Sequence, residues 1–221
     1  MFKRSTQFLA SLYTRHRHTL CLGSLSLLLC HNIAAADTAR AALTHFLANL
    51  DTLQARFEQS VYHTDTALAP PATGLFQLKR PHQFRWDYQT PEKKLVLADG
   101  RDVWIVENDL EQITQHYQST ALKNTPATIL LGTEPLETHF NSIEQGTHQG
   151  LQWLKLQPKD PKSDIKTISL GFRNNELRRL ALVDQLDQIT QIRLYAIQRN
   201  LPLAAERFIF NPPADWDLFQ H

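Results

Sequence analysis

Residues 38–50, TARAALTHFLANL, set Ala42, Leu43, Phe46, Leu47 and Leu50 at i, i+1, i+4, i+5 and i+8. That spacing gathers the apolar side chains on one face of a helix. The period then shortens. In LQARFEQSVY, residues 53–62, Leu53, Ala55, Phe57 and Val61 alternate with polar residues, which predicts a strand with one buried face. PPATG, residues 70–74, ends that pattern. Strand-like runs follow at about 75–80, 84–88, 93–98, 102–107 and 110–117. A second group lies at about 137–144, 151–157, 165–172, 176–183, 188–196 and 206–210. The connections ADGRD, VENDL, EQGTHQG and FRNNE are short and turn-rich, and Asp99-Gly100 is a hairpin signal. Sequential strands joined this way pair antiparallel. One later segment differs. In NTPATILLG, residues 124–132, Thr125 is a candidate N-cap, Pro126 suits the first helical position and Gly132 closes the helix.

The pattern therefore predicts a mainly β protein with added helices (α+β): an antiparallel meander of ten or eleven strands plus two or three helices. A sheet that wide twists and curls. Its concave face needs a cover, and the helices at 38–50 and 124–131 are the available ones. The chain is too short to fill the inside of such a curl, so a cavity lined by apolar and aromatic side chains is expected.

KRPHQFRWDYQTP, residues 79–91, bears on that cavity. Phe84, Trp86 and Tyr88 fall on alternate positions, with Arg85 and Asp87 between them and Arg80-Pro81 in front. Alternation puts the three rings on one face of a strand. Strand pattern alone favours the plainer reading, in which the rings are ordinary core and Arg80 is a solvated strand-end residue. Ile129, Leu130 and Leu131 would be exposed on an isolated helix and so should pack inward. A plain core helix fits them equally.

Charge and cysteine usage narrow the setting. The first 36 residues hold Lys3, Arg4, Arg15 and Arg17 and no acid, followed by the apolar run LCLGSLSLLLC and then HNIAAAD. A basic start, a short apolar stretch and an A-x-A site at Ala34 and Ala36 read as a secretory signal. The 11-residue run is too short for a spanning helix, which needs about 20 apolar residues. Cleavage after Ala36 would leave residues 37–221 as one domain. Four of the 23 bases and none of the 22 acids lie in the leader, so that domain carries 19 against 22, a net charge of −3. No basic field is left for nucleic acid or an anionic membrane surface. Cys21 and Cys30 both lie in the leader. Leu29 stands where a lipoprotein signal has a small residue, which argues against acylation of Cys30.

Catalytic signatures are absent: no G-x-S-x-G, H-E-x-x-H, P-loop or G-x-G-x-x-G occurs. Of ten histidines, His16, His18 and His31 are in the leader. The others, at 45, 63, 82, 116, 139, 148 and 221, form no close pair at ligand spacing. No catalytic residue, metal site or cofactor is expected.

GLFQLKRPHQFRWDY followed by VLADGRDVWIVENDLEQIT resembles the outer-membrane lipoprotein carrier family, LolA. FEQ (57–59), NTPATILL (124–131), LKLQPK (154–159) and RFIFNPP (207–213) extend the resemblance over about residues 40–215. Asp187 stands where the family usually has glycine, and Asp tolerates left-handed turn geometry. The resemblance implies an unclosed antiparallel half-barrel with a helical lid over a hydrophobic cavity. It implies a monomeric periplasmic chaperone for acylated lipoproteins, loaded by a LolCDE-type ABC complex of the inner membrane and unloaded to LolB on the outer membrane. It also implies that Arg80 latches the lid through backbone carbonyls, with Pro81 stiffening the chain beside it. Phe84, Trp86 and Tyr88 would wall the cavity, and Ile129, Leu130 and Leu131 would belong to the lid. Two other readings share the fold: a LolB-like acceptor, which needs a lipidated cysteine, and an enzyme or sensor, which needs a polar cluster in the cavity or a second domain.

Overall fold

The computed structural model describes residues 38–132 and 134–221. The expected signal peptide and its cleavage site lie outside the described residues. Thr38 caps the first helix, α1 (Ala39–Leu47), its side chain accepting from the amide of Ala41. Ala39, Ala42, Leu43 and Phe46 are buried on one face, as the spacing requires.

A long strand, β1 (Thr52–His63), comes next, and a two-residue strand β2 (Thr66–Ala67) folds back on its end. Then β3 (Ala72–Lys79), β4 (Gln83–Thr90), β5 (Lys94–Ala98), β6 (Asp102–Glu107) and β7 (Gln112–Tyr117) form a meander. A helical connection follows: α2 (Gln118–Ala121), α3 (Pro126–Leu131) and α4 (Leu136–His139). A second meander contains β8 (Phe140–His148), β9 (Leu151–Pro158), β10 (Ile165–Arg173), β11 (Glu176–Asp184) and β12 (Gln188–Arg199). The chain ends near β13 (Asp217–Gln220).

Among the described residues all thirteen strands belong to one sheet, in the order β13-β7-β6-β5-β4-β3-β1-β12-β11-β10-β9-β8, with β2 beside β1. Each neighbouring pair is antiparallel except β13 with β7. The sheet is unclosed, a half-barrel, with β13 and β8 at its edges. β1 is the seam: it pairs with β3 of one meander and β12 of the other. Its alternation puts Leu53, Ala55 and Phe57 inward, all fully buried.

The inner face carries the main core. Leu53, Phe57, Leu78, Leu154, Ile168, Leu170 and Phe172 of the sheet meet Leu43 and Phe46 of α1 and Ile129, Leu130 and Leu131 of α3. A smaller apolar layer lies on the outer face. Leu95, Leu97, Trp104, Val106 and Ile113 are covered there by Phe210 and Trp216 of the C-terminal segment. Both faces of β5 and β6 are therefore buried.

Three local expectations are revised. Residues 206–210 are not a strand: Ala205–Phe208 is a single 3-10 turn. Phe208 is fully buried, yet Ile209 is 57 % exposed and Phe210 folds onto Trp104, so the segment has no continuous pairing face. Residues 136–139 form α4 before the strand begins at Phe140. Thr125 starts α3 without capping it; its hydroxyl donates to the carbonyl of Leu122. Pro126 does occupy the first turn, and Gly132 closes α3 with φ +65°. Asp187 adopts φ +62° in its turn, a geometry asparagine and aspartate accept at lower cost than most residues.

Candidate functional site: a roofed apolar hollow

Phe84, Trp86 and Tyr88 lie together on the inner face of β4. Trp86 is opposite Phe76 on β3 and Val96 on β5. Its ring packs against Phe76 with centroids 4.7 Å apart and against Phe57 at 5.2 Å. Tyr88 meets Phe57 edge-on at 5.0 Å, a favoured aromatic geometry. Gly74 makes room for this: a Cβ there would lie 2.8 Å from the Phe57 ring and 2.0 Å from the Asp87 carbonyl.

These rings border a hollow of about 290 Å³. Val96 continues its wall, and Leu180, Leu182 and Ile192 form the opposite side. Its roof is Leu122, Thr125, Pro126 and Ala127, the start of the α3 segment. No charged residue borders it; the polar contributions are Gln59, Thr125, Thr190 and the Tyr88 hydroxyl. That hydroxyl donates to Gln59 Oε1 at 3.0 Å, and burial pushes its pKa up to about 12 despite the bond. A larger space of about 460 Å³ on the outer face is bordered by Arg85, Asp87, Lys93 and Lys94, which suits hydrocarbon poorly. Among the described residues no group of three or more His, Cys, Asp or Glu could hold a metal ion. No described helix is long and apolar enough to cross a membrane.

Arg80 stands where the two halves of the roof meet. Its Nε donates to the carbonyl of Leu130 in α3 at 3.0 Å, and its Nη1 donates to the carbonyl of Leu47 at the end of α1 at 3.0 Å. Both acceptors are helix C-terminal carbonyls, which carry partial negative charge and lack partners within the helix. Burial lowers the Arg80 pKa, Asp51 opposes that shift and Arg199 adds to it. Nη2 is buried with no hydrogen-bond partner among the described residues. Gly132 lies flat against the guanidinium; a Cβ there would sit 2.9 Å from Nη2. Pro81 is exposed in the turn after β3 and borders nothing of the hollow. Ile129, Leu130 and Leu131 are buried in the main core beside the hollow.

Residues that sequence reasoning missed hold α1 down. Arg199 Nη2 donates to the carbonyls of Phe46 at 2.8 Å and Ala48 at 3.0 Å, and its guanidinium lies 5.4 Å over the Phe46 ring. Asn200 donates to the Asn49 carbonyl and accepts from the amide of Asp51. At the other end of α1, the Glu144 carboxylate accepts from the amides of Ala39 and Arg40 at 3.0 and 2.9 Å. Carboxylate at a helix N-terminus and guanidinium at its C-terminus both oppose the helix dipole favourably. Nothing in the order of residues marks Arg199 or Glu144 for this task, because their partners are backbone atoms far away in the chain.

The family model for the outer membrane lipoprotein carrier protein LolA matches residues 48–211. An outer-membrane lipoprotein carrier protein of Methylococcus capsulatus is 34 % identical over 195 residues, covering 87 % of this chain and 94 % of its own. One of Leptothrix cholodnii is 33 % identical over 208 residues, covering 92 % and 97 %. In structure, an uncharacterised conserved protein from Thermus thermophilus superposes with a TM-score of 0.52 at 12 % identity, covering 83 % of this chain and 99 % of that one. That likeness bears on the fold alone. With a match across most of its length, an open half-barrel and a roofed apolar hollow, the chain belongs to the LolA family of outer-membrane lipoprotein carrier proteins.

Proposed function

We propose that this protein is a periplasmic chaperone that accepts acylated lipoproteins from a LolCDE-type complex, shelters their acyl chains and delivers them to LolB. It acts as a monomer, without catalysis, metal or cofactor. The observation that carries this reading is the hollow itself: uncharged, aromatic-walled and roofed by a segment with few polar ties to the sheet.

The roof divides into a fixed and a movable part. α1 lies on close-packed strands and is tied at both ends by Glu144, Arg80, Arg199 and Asn200. α3 is tied to the sheet by the hydrogen bond from Arg80 to Leu130. Before α3, the segment is held by Gln118, which donates to the His82 carbonyl and accepts from the Gly100 amide, and by Lys123 and Asn124, both on Asp160, of which Lys123–Asp160 is a surface pair of small worth. The residues that roof the hollow come from this segment and none from α1. The segment at about 119–132 is therefore the door.

Magnitudes favour a door that cargo opens at a cost. The closed hollow is at the bottom of the usual range for ligand pockets, about 300–1,000 Å³, so several acyl chains require it to widen. Lifting Ile129, Leu130 and Leu131 out costs about 1.5–3 kcal/mol each. Breaking the Arg80 bond adds about 1.5–3 kcal/mol, for a total of about 6–12 kcal/mol. Acyl burial returns about 0.8 kcal/mol per methylene, so about 8–15 methylenes offset the opening. Longer or additional chains give net affinity, and the opening cost keeps it below the ceiling near about −20 kcal/mol, where release would fail.

The test is to mix the purified protein with inner-membrane vesicles loaded with lipoprotein. Soluble one-to-one complexes are expected; lipoprotein that stays in the vesicles refutes the reading. An acceptor of the LolB kind needs a lipidated cysteine; Cys30 follows Leu29 rather than the small residue of a lipoprotein signal, and residues 31–221 contain none. An enzyme would need a charged or nucleophilic cluster in the hollow, whose lining among the described residues supplies an amide, three hydroxyls and the Trp86 indole N–H.

A further inference from the structure

The wall of the hollow contains one anomaly. Phe57, Phe76 and Phe84 around Trp86 are pure hydrocarbon, and the Tyr88 hydroxyl is satisfied by Gln59. Trp86 also borders the hollow, yet its indole Nε1 is buried without an acceptor among the described residues. An unpaired buried donor weakens the state that holds it on the order of tenfold to a hundredfold, and a phenyl ring would fill the wall without that cost. The penalty is relieved only if something brings an acceptor to it.

We propose that Trp86 Nε1 is the hydrogen-bond donor for the ester carbonyl of a long-chain acyl ligand, and so discriminates acyl esters from plain hydrocarbon. This rests on the acyl-carrier reading and refines it. An acyl chain brings methylenes into the hollow, and the ester at its head is the acceptor that travels with them. The bond forms in the loaded protein, because in the closed form Nε1 has no free surface. The neighbouring rings hold the indole in place: Phe76 and Phe57 pack on it from two sides, 4.7 and 5.2 Å away. The donor is therefore fixed before ligand arrives and loses little freedom when the bond forms. Trp86 then does two things at once, apolar wall and polar reader, which phenylalanine at the same position could not.

The experiment compares monopalmitoyl glycerol with 1-O-hexadecyl glycerol, which keeps the ether oxygen but lacks the carbonyl, both below micelle-forming concentration. Binding is measured by calorimetry on the wild-type protein and on Trp86→Phe. Wild type should prefer the ester by about threefold to tenfold, the worth of one neutral hydrogen bond. Trp86→Phe trims the wall as well as removing the donor, so its affinity for both lipids should fall together while the preference for the ester disappears. In wild type, the Trp86 indole resonance in nitrogen–proton NMR spectra should move with the ester and stay with the ether; this measurement decides the matter if the variant does not fold. An ester preference that survives Trp86→Phe, or a wild type that binds both lipids alike, overturns the role of Trp86 and leaves the carrier reading standing. If neither lipid binds wild type, the role of Trp86 falls, and the carrier reading, which draws its net affinity from longer or additional chains, is judged by the vesicle experiment.

Discussion

Arg80→Leu should make the protein hold its cargo too well. Arg80 Nε reaches the Leu130 carbonyl at 3.0 Å, and in the opening proposed above that bond breaks. A hydrogen bond from a charged donor is worth about 1.5–3 kcal/mol. Losing it favours the open form by about 10-fold to 150-fold, and apparent affinity for cargo rises by up to the same factor because less of the binding energy is spent on opening. Two features pull the figure to the lower end. Nη2 has no partner among the described residues, so part of what Arg80 gains is lost to its own burial, and the freed carbonyls can turn to water. An increase of about tenfold in affinity for a fluorescent fatty acid is expected, with hand-over to acceptor membranes slowed by a similar factor. Arg80→Lys, which keeps the charge but offers no planar fork, should fall between. Affinity unchanged or weaker in a folded Arg80→Leu protein, with hand-over at the normal rate, would refute the latch.

Other perturbations probe separate parts of the frame. Arg199→Leu should loosen α1 without freeing the door: amide exchange within α1 should accelerate about tenfold or more while that of α3 stays near wild type, and equal acceleration of both helices would show that the roof moves as one piece. Tyr88 should ionise near pH 12, so its ultraviolet phenolate signal, identified by its loss in Tyr88→Phe, should be missing at pH 11. Its contribution to stability is complete below its unfolded pKa of about 10 and is lost as pH rises through the folded value, since the unfolded chain ionises first. Asp99 works in the opposite direction. Burial would raise its carboxyl, but the amides of Asp102 and Arg101 and the Trp104 indole hold it below the ordinary carboxylate range. Its contribution is present above its unfolded pKa of about 3.9 and fades as pH falls through the folded value; Asp99→Ala should cost about 1.5–3 kcal/mol at neutral pH in denaturant melts, a difference that narrows in acid.

Much of the frame could be read from alternation because most strands bury one face. Leu53, Ala55 and Phe57 on β1, and Phe84, Trp86 and Tyr88 on β4, show the period directly. β13 could not be read: all four of its residues are exposed, and it pairs parallel to β7 from the far end of the chain. The RFIF motif misled for a related reason, since Phe208 is buried, Ile209 is exposed and Phe210 packs on Trp104, so no alternating face exists. In the hollow, the aromatic wall follows from spacing on one strand. The ties on the roof do not. Arg80, Arg199 and Glu144 all bind backbone atoms, which every residue carries, so no side-chain pattern signals who their partners are.

The two rims of the sheet, β8 and β13, never meet. In a sealed barrel the bore is fixed by strand number and shear, and widening it means tearing a ladder of backbone bonds. Here nothing of the kind stands in the way: the trough can splay by a small change of twist at the β1–β12 seam, with each strand keeping its neighbours. On the carrier reading proposed above, tolerance for lodgers of unequal girth is a property of the gap between the rims, and the cover needs only to decide when they come and go.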